Sequence, residues 1–293
     1  MHSYLERFVK LYYCHKIGRN QKQSLVRKDP QLDSLENARI GDLIHMLSLN
    51  ENQARQLVDD YQSVNGSDCL HLCEREEIHI LTVTDSRYPP LLQTIYDPPL
   101  LLFASGCIER LRTAKMLAVV GTRHPSREAE AVLQRLLQPI IEQGWTIVSG
   151  MAVGIDAMAH RIALLQRTIA VLGSGLNHPY PKQNLDLFAY MRRHQLVISE
   201  YPPETAPARW RFPERNRIIS GLCRGTLVVE ARARSGSLIT ADQALEQGRE
   251  VFAVPGSLLN PNSVGTHGLI QQGAKLVMQS SDILEELSFL QEK

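Results

Sequence analysis

The sequence of 293 residues holds only five cysteines, Cys14, Cys69, Cys73, Cys107 and Cys223. An odd, scattered set excludes a disulfide framework and points to reduced thiols in a cytoplasm. No apolar run reaches the length of a membrane span, and Met1-His-Ser-Tyr-Leu-Glu lacks a signal-peptide pattern, so no membrane partner is expected. Neither charge sign is in excess: the net charge is +1, so any contact with a polyanion must rest on a local patch. G-x-G-x-x-G and the Walker lysine motif are both missing, which disfavours ordinary dinucleotide or NTP binding. None of the ten histidines has a recognisable acid or cysteine partner by motif, and no paired carboxylates stand out. No catalytic residue, metal or cofactor is therefore assigned. Cys69-x-His71-x-Cys73 looks like a metal-site fragment, but no second ligand pair follows at usable spacing and helix packing explains it better.

What the chain does have is ordinary globular composition, 43% hydrophobic and 22% charged, over a length that suits one large α/β domain plus a smaller one. Residues 1–76 read as a small helical domain. Leu5, Phe8, Val9 and Tyr12 recur at helical spacing, as do Ile40, Leu43, Ile44 and Leu47, with Ser34 or Asn37 as cap. The remainder, 77–293, changes texture. Ile78-His-Ile-Leu-Thr-Val-Thr and Leu100-Leu-Leu-Phe-Ala-Ser-Gly106 are strand-like. From Lys115 the pattern is strand, turn, helix, repeated, with strands near 116–120, 145–150, 168–172, 196–199, 226–229 and 250–254. Apolar strands alternating with helices imply a parallel sheet covered on both faces, whose ligands bind beyond the strands' carboxyl ends.

Every glycine or hydroxyl cluster in this half falls at such an end. Gly121-Thr122-Arg123 offers backbone amides, a hydroxyl and a cation to an anion. Ser149-Gly150-x3-Gly154-Ile-Asp156 is a second turn, and Gly173-Ser-Gly175 a third that leads to Tyr180-Pro181-Lys182-Gln183-Asn184. Ser235-Gly-Ser237 caps a helix. The stretch Phe212-Pro-Glu-Arg-Asn-Arg-Ile-Ile-Ser-Gly221 places Arg215, Asn216 and Arg217 near a helix start. From Ala208 to Ser235 there are seven arginines, no lysine and only Glu214 and Glu230, a bias toward bidentate or stacking recognition of phosphates. Glu230 is placed to brace Arg215 or Arg217.

These spaced motifs, from Tyr88-Pro89 through Pro255-Gly256 to Gly273-Ala274, resemble the DprA/Smf family of DNA-processing proteins of natural transformation. The resemblance implies an extended Rossmann fold and a sterile-alpha-motif-like N-terminal domain. It also implies a non-enzymatic homodimer that binds and protects single-stranded DNA and loads RecA onto it, displacing or bypassing single-strand-binding protein. It carries DNA contact to Arg123, Lys182 and the Arg215, Asn216 and Arg217 group, with Ser149 and Gly150 lining the same pocket. Gly121, Thr122, Asn184 and Ser237 complete the candidate set. Thr122 stands where serine is common, and His267-Gly268 where asparagine is usual. The chain stops soon after Leu287, so the winged-helix domain of many members is not expected. Ile283, Leu284, Leu287 and Phe289 are candidate apolar contacts for a partner, or else pack back on the sheet. The rival reading is a nucleotide-processing hydrolase like the phosphoribohydrolases. Those carry Pro-Gly-Gly-x-Gly-Thr and a nearby glutamate, whereas Pro255-Gly256 has no second adjacent glycine here.

Overall fold

The structure, a computed structural model, describes residues 3–289. It divides into two compact units, Met1–Thr82 and Val83–Lys293.

The first unit is helical: α1 (Tyr4–Tyr13), α2 (Arg19–Lys28), α3 (Asp33–Glu36), α4 (Ile40–Leu47), α5 (Glu51–Ser63) and α6 (Gly66–Arg75), ending in β1 (His79–Thr82). Capping boxes start α1 (Ser3 with Glu6) and α5 (Asn50 with Gln53), each satisfying two backbone amides that a helix start leaves open. Phe8, Leu11, Leu25, Leu43, Leu57 and Tyr61 are fully buried between these helices. Lys10 is buried with them, its ammonium 4.1 Å from the Tyr61 ring centroid, and the Tyr61 hydroxyl donates to Glu36 Oε1 at 2.6 Å. Neither Ser34 nor Asn37 caps α4. Ser34 lies inside α3 with its hydroxyl on Asp29 Oδ2, and Asn37 closes that short helix instead. Cys69, His71 and Cys73 share α6, with Cys73 turned inward and His71 exposed.

The second unit is built on strands β2 (Leu101–Gly106), β3 (Met116–Val120), β4 (Thr146–Ser149), β5 (Thr168–Leu172), β6 (Leu196–Ser199), β7 (Gly225–Val228), β8 (Glu250–Ala253) and β9 (Lys275–Leu276). Their order is β2-β6-β5-β4-β3-β7-β8-β9. All pair in parallel except β2, which runs antiparallel along β6. Every residue of β3, β4, β5, β6 and β7 is buried, as expected of central parallel strands covered on both faces.

Between the strands lie α7 (Pro90–Gln93), α8 (Ala129–Glu142), α9 (Ile155–Ile162), α10 (Leu185–His194), α11 (Arg211–Leu222), α12 (Gly236–Glu246), α13 (Val264–Gln271) and α14 (Ser280–Phe289). Strand order runs one way from β3 to β6 and the other way from β7 to β9. Right-handed crossovers then put α8 and α9 on one face and α12 on the other. This is the α/β, extended Rossmann-like architecture the sequence implied.

The apolar candidates near the C-terminus do not form a free surface. Ile283 and Leu287 are fully buried in one core with Leu133, Leu137 and Ile140 of α8, and Leu284 packs against it. They recur at helical spacing because α14 lies on α8. The Phe289 side chain is outside the described residues.

Candidate nucleic-acid interface

Three turns and one helix start meet at the carboxyl ends of β3, β4 and β5. After β3, the Thr122 amide donates to the Glu230 carbonyl (2.7 Å), and the Thr122 carbonyl accepts from the Ile155 amide (3.2 Å). The Thr122 hydroxyl accepts from the His124 amide at 3.2 Å. Gly121 and Thr122 therefore hold the turn, and the side chain that emerges from it is the exposed Arg123. The turn after β4 closes against this one at Gly154. Its φ of +83° and the 2.4 Å that would separate a Cβ from the Thr122 carbonyl oxygen leave room for glycine alone.

Within the second turn the polar groups face inward. Ser149 is fully buried and its hydroxyl donates to the Val119 carbonyl at 2.6 Å. The Gly150 and Ala152 amides donate to Asp156 Oδ2 at 3.1 and 3.4 Å. Those amides are thus spent on Asp156. Burial pushes the Asp156 carboxyl up, against the opposing pull of Arg215 and the two amides. Asn184 is buried as well, donating from Nδ2 to the Met151 and Ala152 carbonyls at 2.8 and 3.2 Å. It braces the turn instead of facing outward.

Beside this turn lies Arg215. Pro213 occupies the first turn of α11, where its missing N–H leaves no bond unmade, and Arg215 follows it. Its guanidinium Nη1 donates to the Gly150 carbonyl at 2.6 Å and to the Val171 carbonyl, and Nε donates to Asn216 Oδ1 at 3.1 Å. A Cβ on residue 150 would lie 2.5 Å from Nη2, so this approach needs glycine there. Burial lowers Arg215 to about 10, with Asp156 opposing the shift, so it stays charged at neutral pH.

Together these elements enclose a cleft of about 90 Å³. Arg123 and Arg215 supply its cations, and Gly150, Ala152 and Val153 supply backbone and small side chains. Tyr180, Pro181, Gln183 and Phe212 complete it, with the Tyr180 and Phe212 rings 5.5 Å apart between centroids. Two guanidiniums suit a phosphate oxygen, and the exposed Tyr180 ring beside half-buried Phe212 suits a base. The sequence singled out Arg123, Gly150 and Arg215. It assigned no contact to Phe212 or Tyr180, although both stand in quoted motifs beside proline.

The other candidates are not among the residues that line the cleft. Lys182 is exposed in a short 3-10 turn, Lys182–Asn184, between Pro181 and Gln183 of the cleft wall. Asn216 is half-buried between Arg215 and the Gly236 carbonyl. Ser237 is buried at the start of α12, its hydroxyl 2.7 Å from that of Ser235. Arg217 points away from the cleft: Nη2 donates to both oxygens of Glu200 at 2.7 and 2.8 Å, and Nε to Asp97 Oδ2 at 3.0 Å. Glu230 braces neither arginine. Its carboxylate accepts from the Ser126 amide at 2.9 Å and from Asn262 Nδ2 at 3.2 Å.

Known proteins resemble this chain in sequence and in fold. The pattern of the family described as DNA recombination-mediator protein A matches residues 79–288. The DNA processing protein DprA of Bacillus subtilis is 50% identical over 212 residues, covering 72% of this chain and 71% of that one. The X-ray structure of DprA from Streptococcus pneumoniae superposes with a TM-score of 0.85 at 38% identity, covering 98% of this chain and 99% of that one. DNA processing protein A from Helicobacter pylori, studied for its single-stranded DNA binding mode, superposes at 0.66 with 27% identity, covering 72% and 95%. On that family match, identity and superposition, the chain belongs to the DNA recombination-mediator protein A family, the DprA/Smf family.

Proposed function

We propose that this chain binds single-stranded DNA at the strand-end cleft, shields it, and loads RecA onto it for recombination in natural transformation, displacing or bypassing single-strand-binding protein. It does so in the cytoplasm, as a homodimer and without turnover. The observation that carries this reading is the presence of Arg123 and Arg215 on one small cleft whose remaining walls include Tyr180 and Phe212. Guanidiniums hold the backbone, and rings take bases without reading their edges, so sequence preference is weak. The lining brings two cations, a carboxamide and rings, a set suited to holding a strand. Lys182, next to the wall, adds a further phosphate contact. Gly121, Thr122, Ser149 and Asn184 hold the frame, while Asn216, Arg217 and Ser237 support α11 and α12 behind it. The single-stranded DNA binding for which the Helicobacter pylori protein was studied supports the ligand. The recombination-mediator description of the family supports the transfer to RecA.

The first test is the affinity for a fluorescent single-stranded oligonucleotide and for its duplex, across a salt series, with wild type and Arg123→Ala. Preference for the single strand, weakened by salt and by the substitution, is expected. Equal binding by the variant overturns the cleft assignment. For the loading step, RecA filament growth on a strand coated with single-strand-binding protein is followed with and without this chain. Faster growth is expected, and unchanged growth removes the loading role.

A further inference from the structure

Of the two tryptophans in the chain, Trp145 is buried at 2% exposure and Trp210 is 58% exposed. Trp210 is the residue before α11 and stands two positions ahead of Phe212, which lines the cleft. Its indole is not loosely placed. The Arg211 guanidinium lies 4.7 Å from the Trp210 ring centroid and 5.1 Å from that of Tyr201. Arg211 is itself tied to the Ala206 carbonyl, and the Tyr201 hydroxyl donates to Glu214 Oε2 at 3.0 Å. The result is a stack of ring, cation and ring whose last member is mostly uncovered. An exposed Arg209 precedes it.

Resting on the reading above, we propose that Trp210 is a stacking residue for a base next to the nucleotide whose phosphate sits on Arg123 and Arg215. The base extends the Tyr201-Arg211-Trp210 stack by one ring, and Arg209 meets the adjoining phosphate. An indole held by a fixed cation loses little freedom when a base covers it, so most of the stacking energy goes into affinity. Because every base has a flat face, this contact adds affinity without selecting sequence. It also requires a base, which a phosphate contact does not.

That difference supplies the test. The full chain is titrated with a single-stranded dT oligonucleotide and with one carrying abasic sites throughout, following Trp210 emission and anisotropy. Trp210 emission is expected to change with the dT strand, while the Trp145 emission left in Trp210→Phe stays constant. Trp210→Ala is expected to weaken dT binding by about 5- to 100-fold and Trp210→Phe to restore most of it. On the abasic strand, Trp210→Ala and wild type should bind alike, with the same salt dependence. Thermal unfolding of Trp210→Ala should match wild type, since the ring is exposed. Unaltered emission at saturation, or unaltered dT affinity in Trp210→Ala, overturns the inference. Emission that changes only with protein concentration overturns it too and assigns the ring to contact between copies. If Arg123→Ala weakens both strands while Trp210→Ala weakens neither, this inference alone fails. If no strand binds at low salt, the DNA-binding reading itself fails.

Discussion

Arg217 and Glu200 form a buried ion pair, 2.7 Å from Nη2 to Oε1, with both side chains at most 6% exposed. Asp97 closes on the same guanidinium through Nε at 3.0 Å. Two neighbouring arginines of one short motif therefore do different work: Arg215 lines the cleft, and Arg217 fastens α11 to the segment after β6 and to the turn at Asp97.

Removing Arg217 should unfold the protein before it touches binding. Arg217→Ala leaves Glu200 and Asp97 without their cation, and breaking such a buried pair costs about 3–5 kcal/mol. Urea denaturation should show the lower midpoint. Adding Glu200→Gln should recover part of the loss, because the stranded charge is then gone. A wild-type midpoint in the single variant would show that the pair holds nothing.

Arg123 should behave in the opposite way. Its side chain is exposed and its turn is held by the backbone bonds of Thr122. Arg123→Ala should leave thermal unfolding unchanged, weaken single-strand binding, and lower the salt slope by about one phosphate contact. Anisotropy titrations at several salt concentrations read both quantities.

Gly150→Ala isolates the buried cation. A Cβ there meets the Arg215 guanidinium at 2.5–2.6 Å, and that group is fixed by the Gly150 and Val171 carbonyls. The guanidinium must shift, so affinity should fall by about tenfold or more, the loss of one charge-assisted contact. Secondary structure, followed by circular dichroism, should persist. Unchanged affinity would mean that Arg215 does not reach the strand.

Stability should fall as the solution is made acidic, through His160. This side chain on α9 is fully buried, and its Nδ1 lies 2.7 Å from the Thr168 hydroxyl. That hydroxyl donates to the Ile147 carbonyl at 2.9 Å, so Nδ1 must be the donor to Thr168. Burial, and then the charge of Arg215, push the ring from 6.5 down to about 3. Above pH 6.5 both folded and unfolded chains carry a neutral ring. Between 6.5 and 3 only the unfolded chain takes up the proton, so stability is lost as pH falls, about 2 kcal/mol by pH 5. Asp156, whose carboxyl burial pushes up, contributes with the opposite sign. The decisive comparison is therefore the pH dependence of unfolding for wild type against His160→Gln, which should be flatter between pH 5 and 7.

The sequence by itself determined the six strands β3 to β8, the parallel sheet they form and the family, but not the short edge strand β9 or the antiparallel course of β2. A central parallel strand buries every side chain, so Met116–Val120 or Thr168–Leu172 announces itself as an unbroken apolar run bounded by a turn. Arg123 was legible for the same local reason: it closes the Gly121-Thr122-Arg123 turn at the end of a strand, where ligands of a parallel sheet gather. Tertiary structure alone decided what each polar residue faces. Arg215 and Arg217 are chemically identical and two positions apart, yet successive residues of a helix point about 100° apart, so they cannot share a wall. The partners that separate them, Gly150 at 65 residues' distance, Glu200 at 17 and Asp97 at 120, come together only when the sheet forms. Asn184 shows the same limit, since the carbonyls it braces lie 33 and 32 residues away and burial turns a candidate contact into a strut. Local pattern records which residues can reach a crevice, and long-range pairing decides which of them are already taken.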